Sequence, residues 1–166
     1  MRCNLSTLVI VANRSTNIHE QITARLRESA LVYTAGRRQL VELLLKHGRP
    51  ASVPELLKNR TRLTQSSTYR NLADLEAVGI IHKVAGSDDH ARYELNEDLI
   101  GHHHHLICDT CGSIDDFEVN LTTERELERV LQSAAKSARF MVTGHRLDAI
   151  GVCANCQRNP TARPTK

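Results

Sequence analysis

Apolar residues recur at helical spacing through the first half of the chain. They lie on one stripe in residues 18–30, which predicts an amphipathic helix. A second helical period begins near Thr34 and stops at Gly48, a residue typical of helix ends. Ser52 and Glu55 form a capping box that begins a third helix. The predicted helices cover residues 18–30 (with Ile18, Ile22 and Leu26 on the stripe), 34–48, 53–60 and 66–77, the last stopped by Gly79.

The hydrophobic pattern then changes to that of short strands. Residues 80–84 and 91–95 predict two strands, and the polar segment 86–90 between them is typical of a hairpin connection. Helices followed by a two-stranded hairpin are the plan of a winged helix-turn-helix, a DNA-binding fold.

A polar linker over residues 96–101 precedes a second pattern of strands and a helix. Strands are predicted at 105–108, 113–119 and 140–152, and a helix at 124–138 with a capping box at Thr123 and Glu126. The fold class is therefore α+β, a winged helix-turn-helix followed by a small α/β domain. The predicted divisions are a flexible extension (1–17), a winged-helix domain (18–96), a second domain (97–157) and a tail (158–166).

The charge is distributed unevenly along the chain. Residues 1–96 contain 14 Lys and Arg against 9 Asp and Glu, whereas residues 97–156 contain 5 against 10. A basic first half before an acidic half rich in His and Cys indicates two tasks, although uneven surface solvation is the simpler alternative. The apolar run at residues 8–12 lacks a cleavage site and is too short for a membrane span, so a cytoplasmic protein is expected.

Two Cys-x-x-Cys pairs, Cys108/Cys111 and Cys153/Cys156, each follow a predicted strand. Zinc favours four tetrahedral ligands, and two thiolates three positions apart in a tight turn can bind one ion together. We therefore predict one structural zinc ion in a closed site, with no open position for water. A redox dithiol and inert thiols are the alternatives.

Four consecutive histidines, His102 to His105, stand just before the first cysteine pair. Alternate side chains of a strand point to opposite faces, so the four histidines would serve two separate metal sites. Residues elsewhere in the chain must complete each set of ligands. The predicted sets are His82, Glu94, His103 and His105 for the first site, and His102, His104, Glu124 and His145 for the second, with His19, His47 and His90 exposed to solvent.

Six motifs occur together across the two predicted domains. They are Thr34–Arg37 (TAGR), Ser67–Leu72 (STYRNL), Val78–His82 (VGIIH), Arg92–Leu95 (RYEL), His102–Cys111 (HHHHLICDTC) and Gly144–Cys153 (GHRLDAIGVC). Their combination is highly specific and resembles the ferric uptake regulator (Fur) family over about residues 18–157.

The resemblance implies a homodimeric repressor that binds double-stranded operator DNA when its regulatory metal is present. The first domain would read DNA, and the second would dimerise and hold metal. The resemblance also supports structural zinc at the four cysteines. It matches the first histidine face to the family's regulatory site, and the second face to its additional site near the dimer interface.

The sequence departs from the family pattern at three places. Pro50 replaces a regulatory histidine found in many iron-type members, while His82 occupies a position that supplies a ligand in zinc-type members. The linker between Glu94 and the histidines is long, so Glu97 or Asp98 are alternative carboxylate ligands. The helix after Glu124 carries about one extra turn, a departure that bears on the assignment of Glu124 as a ligand.

Several side chains are candidates for DNA contact. The first turns of a recognition helix meet base edges, and hydroxyl and guanidinium groups bind phosphates. For Tyr69, packing in the core is the alternative to contact with a thymine methyl group. The predicted DNA-binding residues are Arg37 and Arg38, which open the second helix, and Ser67, Thr68, Tyr69 and Arg70 in the fourth.

The identity of the regulatory metal stays open between several divalent ions. A set of His and carboxylate ligands suits Fe(II) or Mn(II) slightly better, but the affinity order lets Zn(II) compete. A peroxide sensor, in which bound iron oxidises its own histidine ligands, is an alternative. Two other classes are a zinc hydrolase, for which no H-E-x-x-H motif is found, and a zinc-ribbon module, which leaves the winged-helix pattern unexplained.

Overall fold

The computed structural model describes residues 5–58, 62–86 and 90–159, with side chains from residue 17 onward. The chain divides into two compact units: of the described residues, the first contains 5–58, 62–85 and 90–101, and the second contains 86 and 102–159. The first four residues and the tail beyond residue 159, which belong to the predicted extension and tail, lie outside the described residues.

The described residues of the first unit form five helices and a three-stranded sheet of order β1-β3-β2. Strand β3 is central and antiparallel to both neighbours, with His82 opposite Glu94 in the β2–β3 pair. The elements are α1 (Leu5–Glu28), α2 (Ala35–His47), β1 (Ala51–Ser52), α3 (Val53–Leu57), α4 (Gln65–Ala77), β2 (Ile81–Val84), β3 (Arg92–Leu95) and α5 (Glu97–Ile100).

The predicted helix starts of this unit are explained by local caps. Thr34 accepts a hydrogen bond from the Arg37 amide, and the backbone amide of Ser52 donates to Glu55 at 2.8 Å. Gly48, with φ of 68°, ends α2 as predicted. The predicted start of the first helix at residue 18 is wrong, because α1 already begins at Leu5.

The core of the first unit is mainly aliphatic. The predicted stripe of α1 is confirmed, since Ile18, Ile22 and Leu26 are all buried. They belong to one cluster with side chains of α2, α4 and the sheet. Tyr93 is an aromatic member of this cluster. The packing of α2 against α4 therefore holds the helices of the helix-turn-helix in place relative to each other.

A Leu40→Ala substitution is expected to destabilise this unit by about 2–5 kcal/mol, because it removes a fully buried side chain and leaves a cavity. Urea unfolding followed by circular dichroism measures the change. The control is Val32→Ala, at a side chain that is 70% exposed, where a change within about 0.5 kcal/mol is expected. Equal losses in the two variants would contradict this packing.

In the second unit, the part of the chain that the structure describes forms a three-stranded sheet of order β5-β4-β6 and two helices. Strand β4 pairs antiparallel with β5 and parallel with β6. The elements are β4 (His104–Cys108), β5 (Ile114–Phe117), α6 (Leu121–Ser137), β6 (Asp148–Gly151) and α7 (Ala154–Arg158).

Two predictions for the second unit are corrected. Residues 140–147 are not part of the last strand, which covers only Asp148–Gly151. Helix α6 is capped by Asn120, whose side chain accepts from the Thr123 amide at 3.0 Å, and not by Thr123. An Asn side chain is among the strongest N-caps, and it adds a turn in front of the predicted start.

Helix α6 packs few of its own side chains into this unit. None of its residues is buried, although its apolar positions include Leu121 and Val130. Phe140, Met141 and Ile150 of the same unit are also exposed. Among the described residues, no helix is both long and apolar enough to cross a bilayer.

Candidate metal centres and nucleic-acid surface

The four paired cysteines meet at one point of the second unit. Cys108 ends β4, Cys111 follows in a turn closed by Gly112, and Cys153 and Cys156 lie at the start of α7. Gly112 has a φ of 69°, which a residue with a Cβ rarely adopts. The four sulfur atoms all lie within 4.8 Å of one another.

The sulfur geometry fits a zinc ion better than a disulfide. A tetrahedral ion with Zn–S bonds of about 2.3 Å separates its sulfurs by about 3.8 Å, and Cys111 and Cys153 Sγ lie 3.8 Å apart. A disulfide would bring two sulfurs to about 2.05 Å, and all four thiols are free.

Backbone amides support a thiolate at Cys108. Burial by itself raises the pKa of this thiol, but amide hydrogen bonds, led by that of Cys153, lower the pKa more. The Cys153 amide lies 3.3 Å from the sulfur. Metal ligands must be deprotonated, so this environment suits a zinc-bound cysteine.

One face of the histidine run gathers a compact cluster around Glu124. Its Oε1 atom lies 2.9 Å from His145 Nε2 and 3.1 Å from His102 Nε2, and its Oε2 atom lies 3.0 Å from His104 Nε2. The set predicted for the second metal site is therefore brought together, with Glu124 in the first turn of α6.

Two atoms of this cluster are placed as metal ligands would be. His145 Nε2 and Glu124 Oε1 are buried and close, yet neither makes a hydrogen bond of good geometry. Burial by itself would raise the pKa of Glu124, but His104, His102 and His145 together lower it. An ionised carboxylate among three imidazoles fits a divalent cation at their centre.

The opposite face of β4 gathers a second cluster. Ligand atoms of His103, His105 and Asp116 lie within 4.8 Å of one another, and both histidines are buried. Asp116 was not among the predicted ligands. The β4–β5 register places it directly across from His105, and this register depends on a turn that the sequence pattern did not resolve.

In the first unit, His82 and Glu94 face each other across the β2–β3 pair. His82 Nε2 lies 2.8 Å from Glu94 Oε1, and Glu94 is buried. The alternative carboxylate Asp98 is engaged with Arg25, whose guanidinium lies 2.5 Å away. Glu97 lies in the first turn of α5.

The remaining histidines differ in exposure. The prediction that His19 is solvent-exposed is wrong: it is part-buried and bonds to the Tyr33 hydroxyl at 2.7 Å. Burial is the main cause that lowers the pKa of His19 and raises the pKa of Tyr33 to about 12. His47 is also partly buried, whereas His90 is exposed as predicted.

The sequence profile of the ferric uptake regulator family matches residues 28–150, most of the chain. The chain belongs to this family. The ferric uptake regulation protein of Bacillus subtilis is 29% identical over 148 residues, which cover 86% of this chain and 96% of that protein. The peroxide-responsive repressor PerR of Staphylococcus aureus (strain Mu50) is 29% identical over 142 residues, or 83% of this chain and 90% of that protein.

Solved structures agree with this membership. The Helicobacter pylori ferric uptake regulator, described as having three functional metal-binding sites, superposes with a TM-score of 0.67 at 25% identity, covering 86% of this chain and 93% of that one. A zinc-bound manganese uptake regulator superposes with a TM-score of 0.58 at 26% identity, covering 80% of this chain and 98% of that one. The predicted family and the fold class are confirmed. This Fur-family chain is a metal-responsive transcription regulator, and members of the family are not enzymes, which argues against a zinc hydrolase.

The fourth helix of this Fur-family winged helix presents part of the predicted DNA surface. Tyr69 is 48% exposed and Arg70 is exposed, so Tyr69 is not a core residue. Ser67 is part-exposed, and its amide bonds to Thr64 at 3.2 Å in the cap of α4. Thr68 is fully buried and donates its hydroxyl to the Thr64 carbonyl. The Thr68 side chain therefore lies in the interior of this unit, unlike those of Tyr69 and Arg70.

The two arginines that open α2 have different environments. Arg37 is buried, with its guanidinium bonded to Asp74 and to the Val32 carbonyl. These contacts hold its guanidinium within the first unit, so little of this side chain is exposed for the predicted contact with DNA. Arg38 is exposed, with its guanidinium carbon 5.9 Å from the centroid of the Tyr33 ring, and remains on the surface.

Proposed function

We propose that this regulator is a homodimeric repressor that binds double-stranded operator DNA when a divalent metal occupies its regulatory site. The observation that carries this proposal is that the histidine run leads into β4, which begins at His104, and that its alternate side chains lie in two clusters. Such a dimer acts on DNA in the cytoplasm and controls genes of metal homeostasis.

The proposed regulatory site consists of His82, Glu94, His103 and His105, to which the structure adds Asp116 as a candidate ligand. His82 and Glu94 are paired in the DNA-binding unit, while the two histidines and Asp116 are close together in the other. A metal bound by both sets would favour one arrangement of the units. Metal binding and operator binding are then linked through that arrangement.

The second cluster, His102, His104, Glu124 and His145, is the proposed additional metal site. The four cysteines are the proposed structural zinc site. The Helicobacter pylori relative, with its three functional metal-binding sites, is consistent with three metal positions in this chain.

Exposed apolar side chains support dimerisation through the second unit. Helix α6 buries none of its residues, and Val130 and Ile150 are 53% and 73% exposed. Exposed apolar residues of this kind are typical of interaction surfaces, and a second copy of the chain would cover them. This surface lies in the same unit as the additional metal site.

An Arg70→Ala substitution is expected to weaken operator binding by about 1–3 kcal/mol, because it removes an exposed cation from the proposed recognition helix. Fluorescence anisotropy with a labelled operator measures the loss. Arg129→Ala is the control: Arg129 is exposed on α6 and pairs with Glu126, so unchanged affinity is expected. Equal losses of operator affinity in both variants would mean that the net charge of the protein, and not the position of Arg70, determines the effect.

Fe(II) is the proposed corepressor, with Zn(II) and Mn(II) as competitors. The regulatory set contains imidazoles and carboxylates but no thiolate, and carboxylate ligands suit Fe(II) and Mn(II). The test is electrophoretic mobility of operator DNA with metal-stripped protein, titrated separately with Fe(II), Mn(II), Zn(II) and Ni(II). Retardation by Fe(II) at the lowest free concentration supports this choice, and no retardation with any metal excludes metal-dependent repression.

Peroxide sensing is the second candidate, favoured by the likeness to a relative named as a peroxide-responsive repressor. The Fe(II)-loaded protein would lose DNA binding after peroxide, with one oxygen atom added to His103 or His105. Peptide mass spectrometry detects that addition. If peroxide-treated protein keeps unmodified histidines and full DNA binding, peroxide sensing is excluded and metal sensing is the function that stands.

A further inference from the structure

Asp148 contacts a histidine of the proposed regulatory site from outside the set of ligands. It is the first residue of β6, and the parallel β4–β6 register places it beside His105. Asp148 Oδ1 lies 3.3 Å from His105 Nδ1, while Asp116 Oδ1 lies 3.9 Å from Nε2 of the same ring. The two nitrogens of this imidazole therefore face two different carboxylates.

We propose that Asp148 is a positioning residue that accepts the Nδ1–H hydrogen bond of His105 and so makes Nε2 the metal-binding nitrogen. This role rests on the proposed regulatory site. A neutral imidazole carries one N–H and one lone pair, so donation from Nδ1 leaves the lone pair on Nε2. A carboxylate in this position also fixes the ring and increases the basicity of the ligating nitrogen.

The surroundings of Asp148 allow this role. The His105 side chain is buried, whereas Asp148 is an exposed residue, and its Oδ2 atom lies 3.6 Å from the Arg146 guanidinium. Arg146 thus attracts one carboxylate oxygen and leaves Oδ1 for the imidazole. A backbone hydrogen bond from the His105 amide to the Leu147 carbonyl helps hold the strands together without the Asp148 side chain. Substitution at this position should therefore leave the sheet intact.

The test compares Asp148→Ala and Asp148→Asn with Asp115→Asn as the matched control. Asp115 is one residue before Asp116 on β5, so its side chain points to the opposite face of the sheet. Every protein in this comparison also carries Glu124→Gln, which weakens metal binding at the proposed additional site. Each is prepared with zinc at the cysteines and no metal at the histidine clusters. The first readout is ¹⁵N NMR of the histidine rings before other metal is added, and the second is a Co(II) titration.

In the protein that retains Asp148, the NMR spectrum should show the Nδ1–H tautomer of His105. Asp148→Ala should shift His105 toward the Nε2–H form and weaken Co(II) binding about 10–100-fold. Asp148→Asn keeps an acceptor but loses the charge, so a smaller loss is expected, and Asp115→Asn should change neither readout.

His103→Ala in the same titration separates two kinds of failure. If His103→Ala weakens Co(II) binding while Asp148→Ala has the wild-type affinity and tautomer, the positioning role is excluded and the site stands. If His103→Ala leaves the Co(II) affinity unchanged, the regulatory site itself is wrong and the role of Asp148 falls with it.

Discussion

Replacing His103 by alanine is expected to abolish metal-dependent operator binding while the dimer remains folded. His103 is buried and lies with His105 and Asp116 in the proposed regulatory cluster, so its loss removes one imidazole ligand. Coupling between a metal site and DNA amounts to about 1–3 kcal/mol, or about 5–150-fold in affinity. The variant should lose this whole increment and bind operator as the metal-stripped protein does.

The matched control for this variant is His102→Ala. His102 precedes His103 directly, but its Nε2 atom lies 3.1 Å from Glu124, in the other cluster. Operator affinity is measured by anisotropy with and without Fe(II), and dimer mass by sedimentation. The control should keep most of its metal response. If His103→Ala keeps the full metal response, the cluster of His103, His105 and Asp116 does not regulate DNA binding. If both variants lose the metal response equally, the two histidine clusters act together.

Replacing Cys156 by serine is expected to unfold the second unit. Cys156 is buried, and the four sulfurs converge as ligands of one zinc ion would. Structural zinc sites contribute apparent binding free energies of about 10–16 kcal/mol, which become folding free energy. Within the described part of this unit, Ile107 and Ile114 are the buried aliphatic side chains, so little apolar burial can replace the metal.

Loss of zinc and of the dimer should occur together in Cys156→Ser. Zinc content, circular dichroism melting and sedimentation measure the three consequences. The control is Cys3→Ser, the same change at a cysteine outside the two pairs, where wild-type zinc content and stability are expected. A Cys156→Ser protein that stays dimeric and melts like wild type would exclude a stabilising zinc site.

Local patterns were sufficient for most of the first unit. The period of apolar residues and the caps at Thr34 and Ser52 act within a few positions, so α2 and α3 start where predicted. The start of α1 was missed because residues before Ile18 lack a clear amphipathic period. The last strand was overextended since an alternating pattern does not show whether a partner strand pairs with it.

The sequence by itself determined the family, the cysteine pairs and the two faces of the histidine run, because these depend on residue type and on the alternation of one strand. Only the tertiary structure decided which carboxylates approach the histidines. Asp116 and Asp148 reach His105 through pairings of β4 with β5 and β6, whose registers are set by packing of segments distant in sequence. For the same reason, only the fold revealed that Arg37 is buried and pairs with Asp74.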